Sequence, residues 1–184
     1  MLERLAARLD LTGPERDALH EAAAYFRALN DKASGERPAQ SRPAPSSDGA
    51  APPQAILWSD GAARGNPGPA GAGAVLKTPA GEVLAEVSGF LGHNTNNVAE
   101  YRALLMGLEQ ALALGIRQIE VRADSELLIK QLRGEYRVKD EKLKPLFAEA
   151  KALLARFAGY KLLHVRREQN ADADRLANAG IDSR

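Results

Sequence analysis

Apolar positions along this chain follow two different periods, with a proline-rich interval between them. Leu2, Leu5 and Leu9 recur at helical spacing, and Ala18, Ala22, Tyr25, Phe26 and Leu29 line one side of a second helical stretch. Between the two, Thr12-Gly13-Pro14-Glu15 has the form of a capping box, with Thr12 as N-cap and Glu15 reaching back. Residues 1–31 are therefore read as a small helical hairpin. Its helices are too short to be firmly stable alone, so it needs a packing partner: itself, the rest of the chain or a second copy. This makes it a candidate for self-association or protein contact. Residues 32–54 hold Pro38, Pro43, Pro45, Pro52 and Pro53 among Ser, Ala and Gly. Such a stretch joins neither helix nor central strand and reads as a flexible linker.

From residue 55 the pattern changes again. Residues 55–60, 70–77 and 82–91 read as strands joined by short turns, an antiparallel meander. Val98, Tyr101, Leu104, Leu105, Leu108, Ala111 and Leu112 then predict a helix over 97–114, ended by Gly115. A strand at 118–123, helices at 125–132 and 143–157, a strand at 160–165 and a helix at 172–179 complete the order βββ-α-β-α-α-β-α. The expected fold is α/β: a five-stranded mixed sheet flanked by helices, with the strand at 56–60 beside a parallel partner at 118–123. Residues 55–184 form this domain.

Composition narrows the chemistry. With aromatics at 5%, the core must be built mostly of Leu, Val, Ile and Ala. The absence of cysteine excludes disulfides, thiolate zinc sites and a cysteine nucleophile, and it fits a cytoplasmic setting. No apolar run approaches the roughly 20 residues of a membrane span, and the N-terminus has no signal-peptide core. The net charge of +1 means that any nucleic-acid footprint must be local.

Four acids fall at equivalent kinds of position. Asp60 is expected to end the first strand, where the chain turns at once on glycines. Asp124 ends the fourth strand, Glu100 lies in the first turn of the long helix, and Asp174 in the first turn of the last. Each has a plain structural reading: Glu100 as a helix-dipole acid, Asp124 as an N-cap, and Asp172 in place of Asp174 as the acid of the last helix. Together they are harder to dismiss. Strand ends and helix N-termini meet at one edge of an α/β sheet, and four clustered carboxylates cannot all stay ionised without a cation. Oxygen-only ligands favour Mg2+ or Mn2+ over zinc.

Ser59-Asp60-Gly61 with Gly65-Asn66-Pro67-Gly68, then Thr95-Asn96-Asn97-Val98-Ala99-Glu100, Ala123-Asp124-Ser125 and Ala173-Asp174-Arg175-Leu176-Ala177-Asn178, resemble type 1 ribonuclease H in composition and order. The resemblance covers about 56–180 and selects Asp174 over Asp172. It implies cleavage of the RNA strand of an RNA/DNA hybrid with two Mg2+ (or Mn2+) ions, leaving a 5′-phosphate and a 3′-hydroxyl. By this likeness Asp60 bridges both ions, Glu100 and Asp124 serve the leaving-group side and Asp174 the nucleophile side. Gly61, Gly65, Asn66, Asn96 and Asn97 are suited to sensing the 2′-hydroxyl, which both donates and accepts. Thr95 resembles the family's DNA-phosphate residue, and Asn96 is also a candidate helix N-cap.

Two departures stand out. The basic, Trp-containing protrusion of many bacterial members is replaced by residues 130–144, which lack Trp but carry six Lys/Arg against three acids. The loop before Asp174 has no histidine; Arg167 or Glu168 is the candidate auxiliary, and His164 is read as a packed strand residue. Alternative readings are a same-fold nuclease for double-stranded RNA or RNA–DNA junctions, a transposase or integrase core, and a non-catalytic hybrid-binding module. A further alternative makes the N-terminal hairpin the main functional part.

Overall fold

The computed structural model describes residues 54–183. The expectations placed on the hairpin at 1–31 and on linker residues 32–53 lie outside the described residues. The elements are β1 (Gln54–Ala63), β2 (Gly68–Lys77), β3 (Val83–Asn94), α1 (Asn96–Ala113), β4 (Gln118–Ala123), α2 (Glu126–Leu132), α3 (Leu143–Leu154), β5 (Gly159–His164) and α4 (Ala171–Asp182), with a 3-10 turn at Arg167–Gln169. The first strand thus takes in Gln54, one residue before the expected domain start. Among the described residues no helix is long and apolar enough to cross a membrane.

The five strands lie in the order β3-β2-β1-β4-β5. β1, β2 and β3 form the expected antiparallel meander, and β1–β4 and β4–β5 pair in parallel. Each parallel pair is joined through helices, as parallel neighbours require. α1 lies against β1 and β2 and also against α3. Between this layer and the sheet lies the main core, where Leu57, Leu76, Leu104, Leu108, Val121, Leu128, Ile129, Leu132 and Leu154 are buried. Tyr101 is the largest fully buried side chain among the described residues. Its hydroxyl donates to Gln131 Oε1 at 2.8 Å, so its polar end is not stranded.

The opposite face of β1, β2 and β3 is covered by α4. Here the sheet offers Gly73 where a side chain would normally stand. A Cβ on Gly73 would overlap the Ala177 backbone nitrogen and the Ala173 carbonyl oxygen. The missing side chain is what lets α4 lie directly on the strands.

The structure corrects several expected boundaries. β1 does not stop at Asp60. It continues to Ala63, with Asp60 opposite Gly73 and Ala63 opposite Ala70, because the hairpin with β2 outlasts the pairing with β4. The glycine after Asp60 is therefore strand, and the chain turns only after Arg64, whose N–H donates to the Pro69 carbonyl at 2.8 Å. α3 ends at Leu154 rather than 157, although Phe157 remains buried in the turn that follows. Apolar spacing there outran the helix. α4 extends three residues past its expected end, to Asp182.

Replacing Gly73 with alanine pushes α4 off the sheet and lowers unfolding free energy by about 2–3 kcal/mol or more. Gly159→Ala, which meets open space, stays within about 0.5 kcal/mol of the parent. Urea unfolding of the two variants checks the contrast.

Candidate active site

β1 and β4 run side by side as far as Ser59 and Ala123 and then part. Asp60 and Asp124 are the first residues beyond that point on each strand. The main chain of α1 crosses β1 at the same place: a Cβ on Gly61 would coincide with the Ala99–Glu100 peptide. Only glycine permits that contact, and it delivers Glu100 to the gap. α4, seated on β1 and β2, brings Asp174 from its first turn.

Two expected helix roles pass to neighbouring residues. Thr95, not Asn96, is the N-cap of α1, its hydroxyl accepting from Val98 N–H at 3.4 Å. Ser125, not Asp124, caps α2, accepting from Leu128 N–H at 3.3 Å. Asp124 is thereby released from capping. Glu100 falls just past the first turn of α1, which starts at Asn96, and is buried at 6% exposure, so it is not a solvated dipole acid.

Single carboxylate oxygens of Asp60, Glu100 and Asp124 lie within 4.8 Å of one another. Asp60 is itself only 5% exposed. Burial, then the charges of Asp124 and Asp174, push its carboxyl up to about 7, against smaller opposing effects from Arg167 and the Gly61 backbone. Burial, then Asp60 and Asp124, hold Glu100 well above the usual carboxylate range. Glu100 Oε1 receives a long hydrogen bond of 3.4 Å from Asn96 Nδ2, and its Oε2 is buried without a partner. An orphaned acidic oxygen among crowded carboxylates fits a hard divalent cation.

Asp174 stands apart from this trio. It lines the same cavity, about 270 Å³ in volume, together with Asp60, Gly61, Asn96, Glu100, Asp124 and Arg167. Its carboxylate is tied to Arg167 at 2.7 Å and accepts from Asn178 Nδ2 at 3.2 Å. The neighbouring Glu168 is exposed and does not line the cavity. Asn66 Oδ1 accepts from the Asn96 backbone N–H at 3.2 Å, so Asn66 helps to close the start of α1. Gly65 and Asn97 are exposed beside that helix start, Gly65 in the β1–β2 turn.

Asn170 and Asn178 contact the acids and had no assigned role from sequence. They flank Asp174 at four residues on either side, a helical spacing that places all three on one face. His164 is not packed, as its strand position suggested, but exposed, with Nε2 3.2 Å from the Asp124 carbonyl oxygen. Within 130–144, Lys130 pairs with Glu126 and lies over the Tyr136 ring, and Lys144 pairs with Glu141. Part of that positive charge is thus used locally.

Residues 58–180 match the family described as reverse transcriptase-like. Ribonuclease HI of Halobacterium salinarum is 45% identical over 123 residues, 67% of this chain and 62% of its own length. A bifunctional protein of Mycobacterium tuberculosis is 44% identical over 129 residues, 70% of this chain and 35% of its own. This chain therefore spans about a third of the length of the mycobacterial relative. The crystal structure of RNase H1 from Halobacterium salinarum superposes with a TM-score of 0.69 at 42% identity, over 71% of this chain and 99% of that one. LC11-RNase H1, in a crystal structure with an RNA/DNA hybrid, gives 0.67 at 42% identity, over 70% of this chain and 97% of that one. With the strand order, the carboxylate trio and a family match over residues 58–180 in agreement, this chain belongs to the ribonuclease H-like, reverse transcriptase-like family.

Proposed function

We propose that the chain is an endoribonuclease that hydrolyses the RNA strand of RNA/DNA hybrids with two divalent cations, Mg2+ or Mn2+, leaving a 5′-phosphate and a 3′-hydroxyl. The observation that carries this reading is the carboxylate trio of Asp60, Glu100 and Asp124 with its buried, unpartnered oxygen. Similarity to a protein crystallised with a hybrid supports the choice of substrate. Asp60, Glu100 and Asp124 would hold cations first, and Asp174 would join them once Arg167 gives up its hold. Bound divalent cations in such a site activate a water and stabilise the leaving oxygen at phosphorus.

The remaining residues read and seat the substrate. Asn96 and Gly61 line the cavity beside the acids, where the 2′-hydroxyl of a ribose would meet an amide that donates and accepts. Asn66, Thr95 and Asn97 surround the start of α1, with Gly65 in the turn alongside. Thr95 offers the phosphate contact while also capping the helix. Arg167, 75% exposed at its side chain, is the auxiliary cation at the mouth and faces a polyanionic substrate. The exposed Arg137 and Lys139 extend the footprint as a partial substitute for a protrusion.

Two measurements test the reading. Labelled RNA/DNA, RNA/RNA and DNA/DNA duplexes are incubated with and without Mg2+ or Mn2+. The hybrid alone is cut, only with metal, and Asp60→Asn slows cutting by roughly 10³-fold or more, at about 1.4 kcal/mol per decade. DNA/DNA cleaved as fast as the hybrid removes the 2′-hydroxyl argument, and RNA/RNA cleaved as fast points to the double-stranded RNA alternative.

The second is the pH dependence of metal-free stability. A carboxyl raised from 3.8 to about 7 on folding binds more protons in the native than in the unfolded state. Its contribution is therefore fully present below pH 3.8 and is lost as pH rises through 7. Each pKa unit is worth about 1.4 kcal/mol, so the metal-free protein loses a few kcal/mol over that window. Glu100 acts with the same sign. Thermal melts in EDTA should fall between pH 4 and 8, less steeply in Asp60→Asn, and added Mg2+ should restore most Tm at the alkaline end.

A further inference from the structure

Asn170 occupies the N-cap position of α4, yet its side chain makes no capping hydrogen bond. An asparagine there ordinarily accepts from the second or third helical N–H. Here the side chain is turned inward and is 1% exposed. Its Nδ2 donates to the Ser59 carbonyl at 3.0 Å and to Asp124 Oδ1 at 2.8 Å. Its own backbone carbonyl accepts from Asp174 N–H at 3.0 Å. Its Oδ1 is buried without a partner. The residue forgoes a cap and strands an acceptor, both unfavourable for folding alone.

What this arrangement achieves is positional. Ser59 precedes Asp60 on β1, Asp124 follows β4, and Asp174 rides on α4. One side chain and one carbonyl therefore tie three of the four acid-bearing segments at the point where β1 and β4 part. The chemistry of the donor matters as well. A neutral amide takes one lone pair of Asp124 and leaves its charge available, whereas the guanidinium on Asp174 neutralises the charge it holds.

We infer that Asn170 is a positioning residue that sets the spacing and orientation of Asp60, Asp124 and Asp174 as a divalent-cation site. This inference rests on reading the acids as a cation site, and not on the nature of the nucleic acid. Outer partners of metal-ligating carboxylates tune affinity in this way.

The test uses the full chain. Asn170→Ala is titrated calorimetrically with Mn2+ without nucleic acid, and its hybrid cleavage is followed as a function of Mn2+. Half-saturation is expected to rise about ten- to a hundredfold in both assays, with most of the rate recovered at high Mn2+. Asn170→Ser keeps a capping residue ahead of α4 but cannot span both acceptors. It should show the same rise with a metal-free Tm near that of the parent, and it serves if the alanine variant does not fold. Tyr101→Phe, which loses a buried hydrogen bond to Gln131, calibrates destabilisation alone: Tm falls and Mn2+ half-saturation stays. Unchanged Mn2+ affinity in the Asn170 variants overturns the inference and leaves a purely structural tie. Parent protein that binds Mn2+ but leaves the hybrid intact overturns the proposed activity and not the inference, and parent protein that binds no Mn2+ overturns both.

Discussion

Three carboxylates gathered within 4.8 Å, two of them almost out of contact with water, repel one another and resist ionisation. Left to itself such a group would splay toward solvent. It persists because each carboxyl is delivered by an element that has no freedom to retreat. Asp60 stands in the middle of a strand paired with β2. Glu100 is locked by the contact of its own peptide with Gly61. Asp124 is held from behind by the Asn170 amide. The free energy of folding the sheet and helices is what keeps the charges together, and the site is therefore a strained part of an otherwise apolar, well-packed domain.

The two sides of the site are not alike. The trio accepts hydrogen bonds only from neutral donors, the Gly61 backbone, Asn96 and Asn170, while the Arg167 charge acts on it from a distance. Asp174 is more exposed and already carries a cation in the form of Arg167. A divalent ion would find the trio ready and would have to compete for Asp174. That asymmetry makes the short turn carrying Arg167 part of the site's electrostatics.

The same economy of side chains that builds the site builds the second face of the sheet. Gly73 opposite Asp60 lets α4 rest on the strands, and α4 in turn carries Asp174 and begins at Asn170. A packing change under α4 therefore moves a proposed ligand and its positioning residue together. Stability and site geometry are coupled through one helix–sheet contact.

The order and type of the elements from residue 55 onward were legible because they rest on local periodicity: alternation for strands, three-to-four spacing for helices, and glycine after α1 and α2. The parallel neighbour of β1 also followed from connection rules. Three of the four acids could be named because strand ends and helix starts are local features, and Asp174 was chosen over Asp172 only by family resemblance; their surroundings could not be read. Sequence placed Asp60 at a strand end, since the glycine after it suggests a turn; only pairing with β2 decided that the strand runs on. It offered Asp124 and Asn96 as caps, and the hydroxyls of Ser125 and Thr95 beside them took those roles. That Asp174 would sit on Arg167, that Asn170 would turn from its own helix to Ser59 and Asp124, and that His164 would lie exposed against the Asp124 carbonyl depend on contacts across 7 to 111 residues of chain. Such contacts are set by how the layers pack, and no local pattern of polarity encodes a distance between segments that meet only when the core has formed.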